Sequence, residues 1–127
     1  MSFPGPVTAI TLFVDDVAEA RDFYAAVFGL PVHYEDEASA VFDFGNTLIN
    51  LLHAGEGVDL IGPAPVGRSV AGATTQLTIT VDDVDATAAL VVSRGAELLN
   101  GPQDRPWGIR TACFRDPSGH VWELASS

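Results

Sequence analysis

The chain has 127 residues, the length of one ordinary domain, and a chain of that size buries about two thirds of its unfolded surface. Hydrophobic residues make up 47% and charged residues 18%, which excludes a disordered chain, and no apolar run approaches the roughly 20 residues of a membrane-spanning helix. Seventeen acidic residues against six arginines and no lysine give a net charge of −11, a field that keeps the chain soluble, repels nucleic acid and anionic membranes, and favours cationic ligands.

The first residues, Met1 to Pro6, carry neither a basic region nor an apolar stretch, so no secretory signal is read there and a cytoplasmic location is expected. Ile10, Leu12 and Val14 then alternate with Ala9, Thr11 and Phe13, the period of a strand with one apolar face. Asp15 or Asp16 can cap a following helix, in which Val17, Ala20, Phe23, Tyr24, Val27 and Phe28 share one face before Gly29 stops it. Strand-like runs follow around Pro31–Tyr34, Ala40–Phe44 and Thr47–His53, with Gly45-Asn46 as a hairpin turn. Gly55–Ala73 is rich in glycine and proline and reads as a connector with room for a short strand.

The order then repeats. Val14-Asp15-Asp16-Val17 recurs as Val81-Asp82-Asp83-Val84, preceded by Leu77, Ile79 and Val81 alternating with Gln76, Thr78 and Thr80. A second, weaker helical stripe of Val84, Thr87, Leu90 and Val91 closes at Arg94-Gly95. Runs around Glu97–Leu99, Ile109–Phe114 and His120–Ala125 complete the copy, with Asp116-Pro117-Ser118-Gly119 as a turn. The expected fold is one α+β domain over residues 1–127. It has two βαβββ modules (about 6–54 and about 74–127) joined by a connector (55–73), with mixed sheets curled around a cavity and helices on the outer face.

The doubled strand–Asp-Asp–helix pattern, Arg21-Asp22-Phe23-Tyr24, Phe28-Gly29-Leu30 and the ending Asp116-Pro117-Ser118-Gly119-His120-Val121-Trp122-Glu123-Leu124 resemble the vicinal-oxygen-chelate superfamily. That superfamily includes glyoxalase I, extradiol dioxygenases, and bleomycin- and fosfomycin-resistance proteins. The resemblance implies a cavity between the modules, with metal ligands projecting from the first and last strands of each. Those positions fall here on Ala9, Asn50, Gln76 and Glu123. One carboxylate, two amides and an alanine form neither the two-histidine facial triad nor a usual transition-metal set. A metal-free site is therefore expected, with Gln76 and Glu123 as the weak candidates should a divalent ion bind.

The expected lining is Thr11, Phe13, Asn50, Leu52, Gln76, Thr78 and Glu123, with either a cationic ligand or Arg110 across the sheet to neutralise Glu123, and Trp107 near the mouth. The Pro106-Trp107-Gly108 loop is similar to loops of the bleomycin-resistance group, where an aromatic ring stacks on a planar ligand. Trp122 alternates with Glu123 and is expected in the core. Cys113, the only cysteine, reads as an inert buried thiol. His33, His53 and His120 share no local ligand spacing, and Glu35-Asp36-Glu37 reads as a solvated loop.

Three functions fit these residues. The first is a metal-free binder of a hydrophobic or cationic small molecule, like the antibiotic-sequestering branch. The second is a metal-dependent lyase or isomerase of glyoxalase type with Glu123 as ligand or base. The third is an interaction module without a ligand. A homodimer, with or without exchanged modules, is expected under all three, with no nucleic-acid or membrane partner.

Overall fold

Each Asp-Asp pair ends a strand and begins a helix. The Asp16 side chain accepts from the Glu19 N–H at 3.0 Å, and Asp83 accepts from the Ala86 N–H at the same distance. Both residues have extended backbones, as helix caps require. The computed structural model describes residues 3–67 and 71–126. The first module runs β1 (Ala9–Val14), α1 (Val17–Phe28), β2 (Tyr34–Glu35), β3 (Ser39–Asp43) and β4 (Leu48–His53). After α2 (Ala54–Ile61), the second runs β5 (Gln76–Thr80), α3 (Val84–Ser93), β6 (Leu98–Asp104), β7 (Arg110–Arg115) and β8 (Val121–Ser126). Each module folds into a four-stranded mixed sheet, in the order β1-β4-β3-β2 and β5-β8-β7-β6. In each, the first strand pairs in parallel with the last, and the others pair antiparallel.

The strand expected around Pro31–Tyr34 forms only at its end, as Tyr34–Glu35, and two larger elements also depart from the sequence reading. The connector opens with a helix, α2, where at most a short strand was expected. His53 caps it, with Nδ1 accepting from the Gly55 N–H at 3.2 Å. Gly55 and Gly57 are poor helix formers, so packing holds this helix and propensity does not announce it. A Cβ on Gly57 would stand 2.8 Å from Phe13 Cε1 and 2.7 Å from Val66 Cγ2, so only glycine lets α2 lie on the Phe13 ring. The second departure is β6, which extends to Asp104, well past the run expected around Glu97–Leu99. Its register shifts between Asn100 and Gln103. There Gly101, at φ +83°, comes so close to the Thr111 carbonyl and to Ala112 Cα that no side chain fits.

Alternation sorts the side chains as the sequence implies. Leu12, Val14, Ile49 and Leu51 of the first sheet and Ala112, Phe114, Trp122 and Leu124 of the second are buried in one core with Ala20, Tyr24 and Val27 of α1 and Val84, Ala88 and Val91 of α3. The rings of Phe28, Phe44, Phe114 and Trp122 meet there, with Phe44 stacked on Trp122 at 5.4 Å. The modules thus join through the faces their helices cover, and the opposite face of each sheet is turned away from the core. No helix among the described residues is long and apolar enough to cross a membrane.

One polar chain crosses this core. The Trp122 indole N–H donates to Tyr24 Oη at 3.0 Å, and the Tyr24 hydroxyl donates to Asp116 Oδ2 at 2.7 Å. His120 Nδ1 lies 2.9 Å from the same oxygen; an ionised carboxylate only accepts, so Nδ1 carries the proton. Asp116 Oδ1 accepts from the Ser118 and His120 N–H groups, each at 2.9 Å. Ser118 Oγ in turn accepts from the Asp15 N–H at the end of β1. Burial alone would push the Asp116 carboxyl up, but the hydrogen bonds and charge of His120, with the Tyr24 hydroxyl, outweigh it and hold the group below its ordinary value. Burial, with Asp116 adding to it, pushes the Tyr24 hydroxyl far above its ordinary range, so it remains a neutral donor.

Two outcomes follow. Tyr24→Phe removes one hydroxyl, leaving the buried Trp122 N–H unpaired and Asp116 Oδ2 with His120 as its remaining donor, so urea unfolding shows a loss of roughly 1–3 kcal/mol without a change in m. Because the folded Asp116 carboxyl titrates lower than the unfolded one, its stabilisation is present above the unfolded value of ~3.9 and is lost as pH falls through the folded value. An acid titration of stability in Asp116→Asn therefore runs flatter than in the parent chain below about pH 4.

Candidate functional site

The expected lining is divided between two faces, and the open face of the second sheet gathers three of its residues, Gln76, Thr78 and Glu123. β5 and β8 align Thr78 with Glu123, and the Thr78 hydroxyl donates to Glu123 Oε1 at 3.0 Å. β7 and β8 align Cys113 with Glu123, and the Gln76 amide reaches Cys113 Sγ at 3.8 Å. Gln76, Thr78, Cys113 and Glu123 thus form one row across three strands. Burial pushes the Cys113 thiol up and Glu123 adds to the shift, against the Gln76 amide and the charge of Arg105. The thiol is buried and stays protonated.

Two expected partners stand elsewhere or differently. Arg110 does not neutralise Glu123. It shares the parity of Ala112 and Phe114, and its guanidinium pairs with Asp85 of α3 at 2.7 and 2.9 Å and with Asp104 at 3.1 Å. Trp107 is 66% exposed, and Arg105 Cζ lies 5.8 Å from its ring centroid.

Arg105 is the residue the sequence reading passed over. Its Nε donates to Thr111 Oγ1 at 2.9 Å and its Nη2 to Asn100 Oδ1 at 3.3 Å. Thr111 has the same parity on β7 as Cys113 and is fully buried. The guanidinium therefore lies over the open face. The signal was present in the spacing, since Thr111 stands two residues from Cys113. It could not be read without knowing how the Arg105–Ile109 turn folds back.

The first sheet supplies Thr11, Phe13, Asn50 and Leu52 on the equivalent face. β1 and β4 align Thr11 with Asn50, and the Asn50 amide donates to Thr11 Oγ1 at 3.4 Å. The Asn50 oxygen is buried without a partner. Phe13 and Leu52 are covered from the α2 side. Thr11 and Phe13 also line a cavity of about 250 Å³ with Gly67, Thr74, Thr75 and the Ser118–His120 turn. A wider hollow of about 550 Å³ between α2 and the Asp36–Ser39 turn has acidic walls of Asp36, Glu37, Glu56 and Asp59 over Leu52 and Leu60. The Asp36 carboxyl is committed to that turn, held below its ordinary value first by the Ala38 N–H and then by Tyr34 and Ser39. His33 is exposed, His53 caps α2, and His120 serves Asp116. Arg68 lies outside the described residues.

Ala9, Asn50, Gln76 and Glu123 do not suit a divalent metal. Asn50 belongs to the first sheet and Gln76 and Glu123 to the second. Among the described residues no three His, Cys, Asp or Glu side chains converge. One carboxylate with amide oxygens brings little charge to offset stripping water from the ion.

The buried, unpartnered Asn50 oxygen carries a stability cost. Asn50→Leu is therefore expected to leave stability unchanged within about 0.5 kcal/mol or to raise it, whereas Leu51→Ala on the core side of the same strand costs roughly 2–5 kcal/mol. Thermal and urea unfolding of the two variants measures the contrast.

Residues 7–124 match the model of the Glyoxalase/Bleomycin resistance protein/Dioxygenase superfamily. The protein YraH of Bacillus subtilis is 34% identical over 121 residues, covering 91% of this chain and 93% of that protein. A glyoxalase/bleomycin resistance protein/dioxygenase from Nocardioides superposes with a TM-score of 0.86 at 21% identity, over 99% of this chain and 85% of that one. A lactoylglutathione lyase from Agrobacterium tumefaciens does so with a TM-score of 0.78 at 22% identity, over 98% and 95%. At such identities the two structures speak for the fold. With the doubled βαβββ topology and a sequence match across nearly its whole length, the chain belongs to the glyoxalase/bleomycin resistance protein/dioxygenase superfamily.

Proposed function

We propose that the protein binds a small organic molecule on the open face of its second sheet without a resident divalent metal, in the manner of the antibiotic-sequestering branch of its superfamily. The observation that carries this reading is the chemistry at the four family ligand positions: Ala9 offers no donor, Asn50 and Gln76 offer neutral amides, and Glu123 alone is charged. A face with Glu123, an exposed indole at Trp107 and hydrogen-bonding groups at Gln76 and Thr78 favours a hydrophobic or cationic ligand. We also take the working form to be a homodimer, with modules exchanged or not. Val58, Leu60 and Leu99 expose apolar surface that a second copy would cover.

Calorimetric titration of chelator-stripped protein with Zn²⁺, Ni²⁺, Mn²⁺, Co²⁺ and anaerobic Fe²⁺ is expected to give no stoichiometric binding. Tight binding that disappears in Glu123→Ala would replace this reading with a lyase or isomerase using Glu123 as ligand or base. A screen of aromatic and cationic compounds is expected to change tryptophan fluorescence in the parent chain and not in Trp107→Phe, since Trp122 is enclosed in the core. Light scattering at several concentrations reads the oligomeric state.

A further inference from the structure

Arginines are scarce in this acidic chain, and the structure engages them unequally. Arg21 pairs with Asp22 and Glu35, and Arg110 with Asp85 and Asp104. Arg94 donates to the Val27 carbonyl and covers Gly29. Arg105 is held on the open face by neutral acceptors only, Thr111 Oγ1 and Asn100 Oδ1. Among the described residues its Nη1 has no hydrogen-bond partner and no carboxylate lies within ion-pair reach. Asn100 is itself fixed, its oxygen also accepting from the Gln103 amide at 3.2 Å. A guanidinium anchored through Nε and Nη2, with its remaining donors free, is a preorganised anion receptor.

Glu123 is arranged in the complementary way. Thr78 occupies Oε1, and Oε2 has no partner among the described residues. Glu123 stands opposite Cys113, and Arg105 is tied to Thr111, two residues along the same strand face. Two residues of a strand span roughly 7 Å, so the face carries a negative group across from Cys113 and a positive group tied one side-chain step along β7, at Thr111. Both charges are felt at Cys113, whose thiol Glu123 pushes up and Arg105 pulls down. Trp107 stands at the Arg105 end, with much of its ring exposed.

We infer that this face recognises a bipolar aromatic ligand: a cationic group against Glu123, an acidic group such as a carboxylate on Arg105, and a ring along Cys113 towards Trp107. The inference rests on the small-molecule reading above and sharpens it. A purely cationic ligand would leave Arg105 unanswered, and the overall acidity of the chain would repel a purely anionic one. Arg105 is then a ligand-binding residue, not merely a staple of its turn.

Four congeners sharing one ring test this by NMR titration of the parent chain: 6-(aminomethyl)-2-naphthoate, 2-naphthylmethylammonium, 2-naphthoate and 2-naphthamide. The bipolar compound is expected to bind at least about fivefold more tightly than the amide, an advantage that shrinks at high salt, and to shift the resonances of Thr111, Cys113 and Glu123. Arg105→Gln is expected to weaken the bipolar compound and naphthoate while sparing naphthylmethylammonium; Glu123→Gln does the reverse and strengthens naphthoate. Because the parent chain alone ranks the four compounds, a variant that fails to fold does not remove the test. If the amide binds this face as well as the bipolar compound, the inference is overturned and the small-molecule reading survives. If none of the four shifts these resonances, both fall.

Discussion

The structure depends on one buried carboxylate. Asp116 is almost wholly enclosed and still ionised, because a side chain from the first module and three groups of its own turn hold it there. Tyr24 reaches it from α1, and Trp122 fixes the tyrosine from β8, so the contact between modules is both apolar and directional. Aromatic packing alone would let the halves slide, since ring contacts tolerate many angles. A buried charge satisfied in only one arrangement does not tolerate sliding. The turn that carries Asp116 also carries Ser118, which reaches the end of β1. The same few residues therefore set the seam between modules and the start of β8, and with it the position of Glu123.

This constraint separates two kinds of residue that look alike in the sequence. Asp116, His120 and Trp122 are polar or aromatic residues in a conspicuous motif, and they serve the fold. Glu123, inside the same motif, points the other way and is left to the open face. Strand alternation makes that division, because neighbours in β8 face opposite sides of the sheet. The duplicated pattern, both helices with their caps, the core placement of Trp122 and the facing of Glu123 were all legible from alternation and from the repeat. Those signals are local and periodic.

What was not legible depended on contacts between distant segments. α2 is an eight-residue helix containing two glycines, and it exists because Gly57 fits over Phe13; propensity argues against it. β6 continues through a register shift that Gly101 permits by meeting Thr111 and Ala112, a match no pattern within β6 reveals. Arg105 and Arg110 sit at the two ends of one turn, and the sequence offered no means of telling which would cross the open face. Asp85 on α3 settles it by taking Arg110. Charge alone left Arg110 and a cationic ligand as alternative partners of Glu123; strand parity with the helix-borne carboxylate removes Arg110.

The two sheets begin as near copies, yet only the first carries a helix on its open side. α2 follows β4, while β8 is followed by no helix among the described residues. Duplication thus left two faces under one set of folding requirements, and among the described residues a helix covers only the first of them. Substitutions at the exposed or half-buried positions of that face, Gln76, Thr78 and Glu123, escape most of the penalties that would attend changes in the core, whereas Thr111 and Cys113 beside them are buried. Lineages sharing this scaffold can diversify there quickly while the seam stays fixed, and a library confined to that surface is where laboratory selection for new ligands would lose the fewest variants to misfolding.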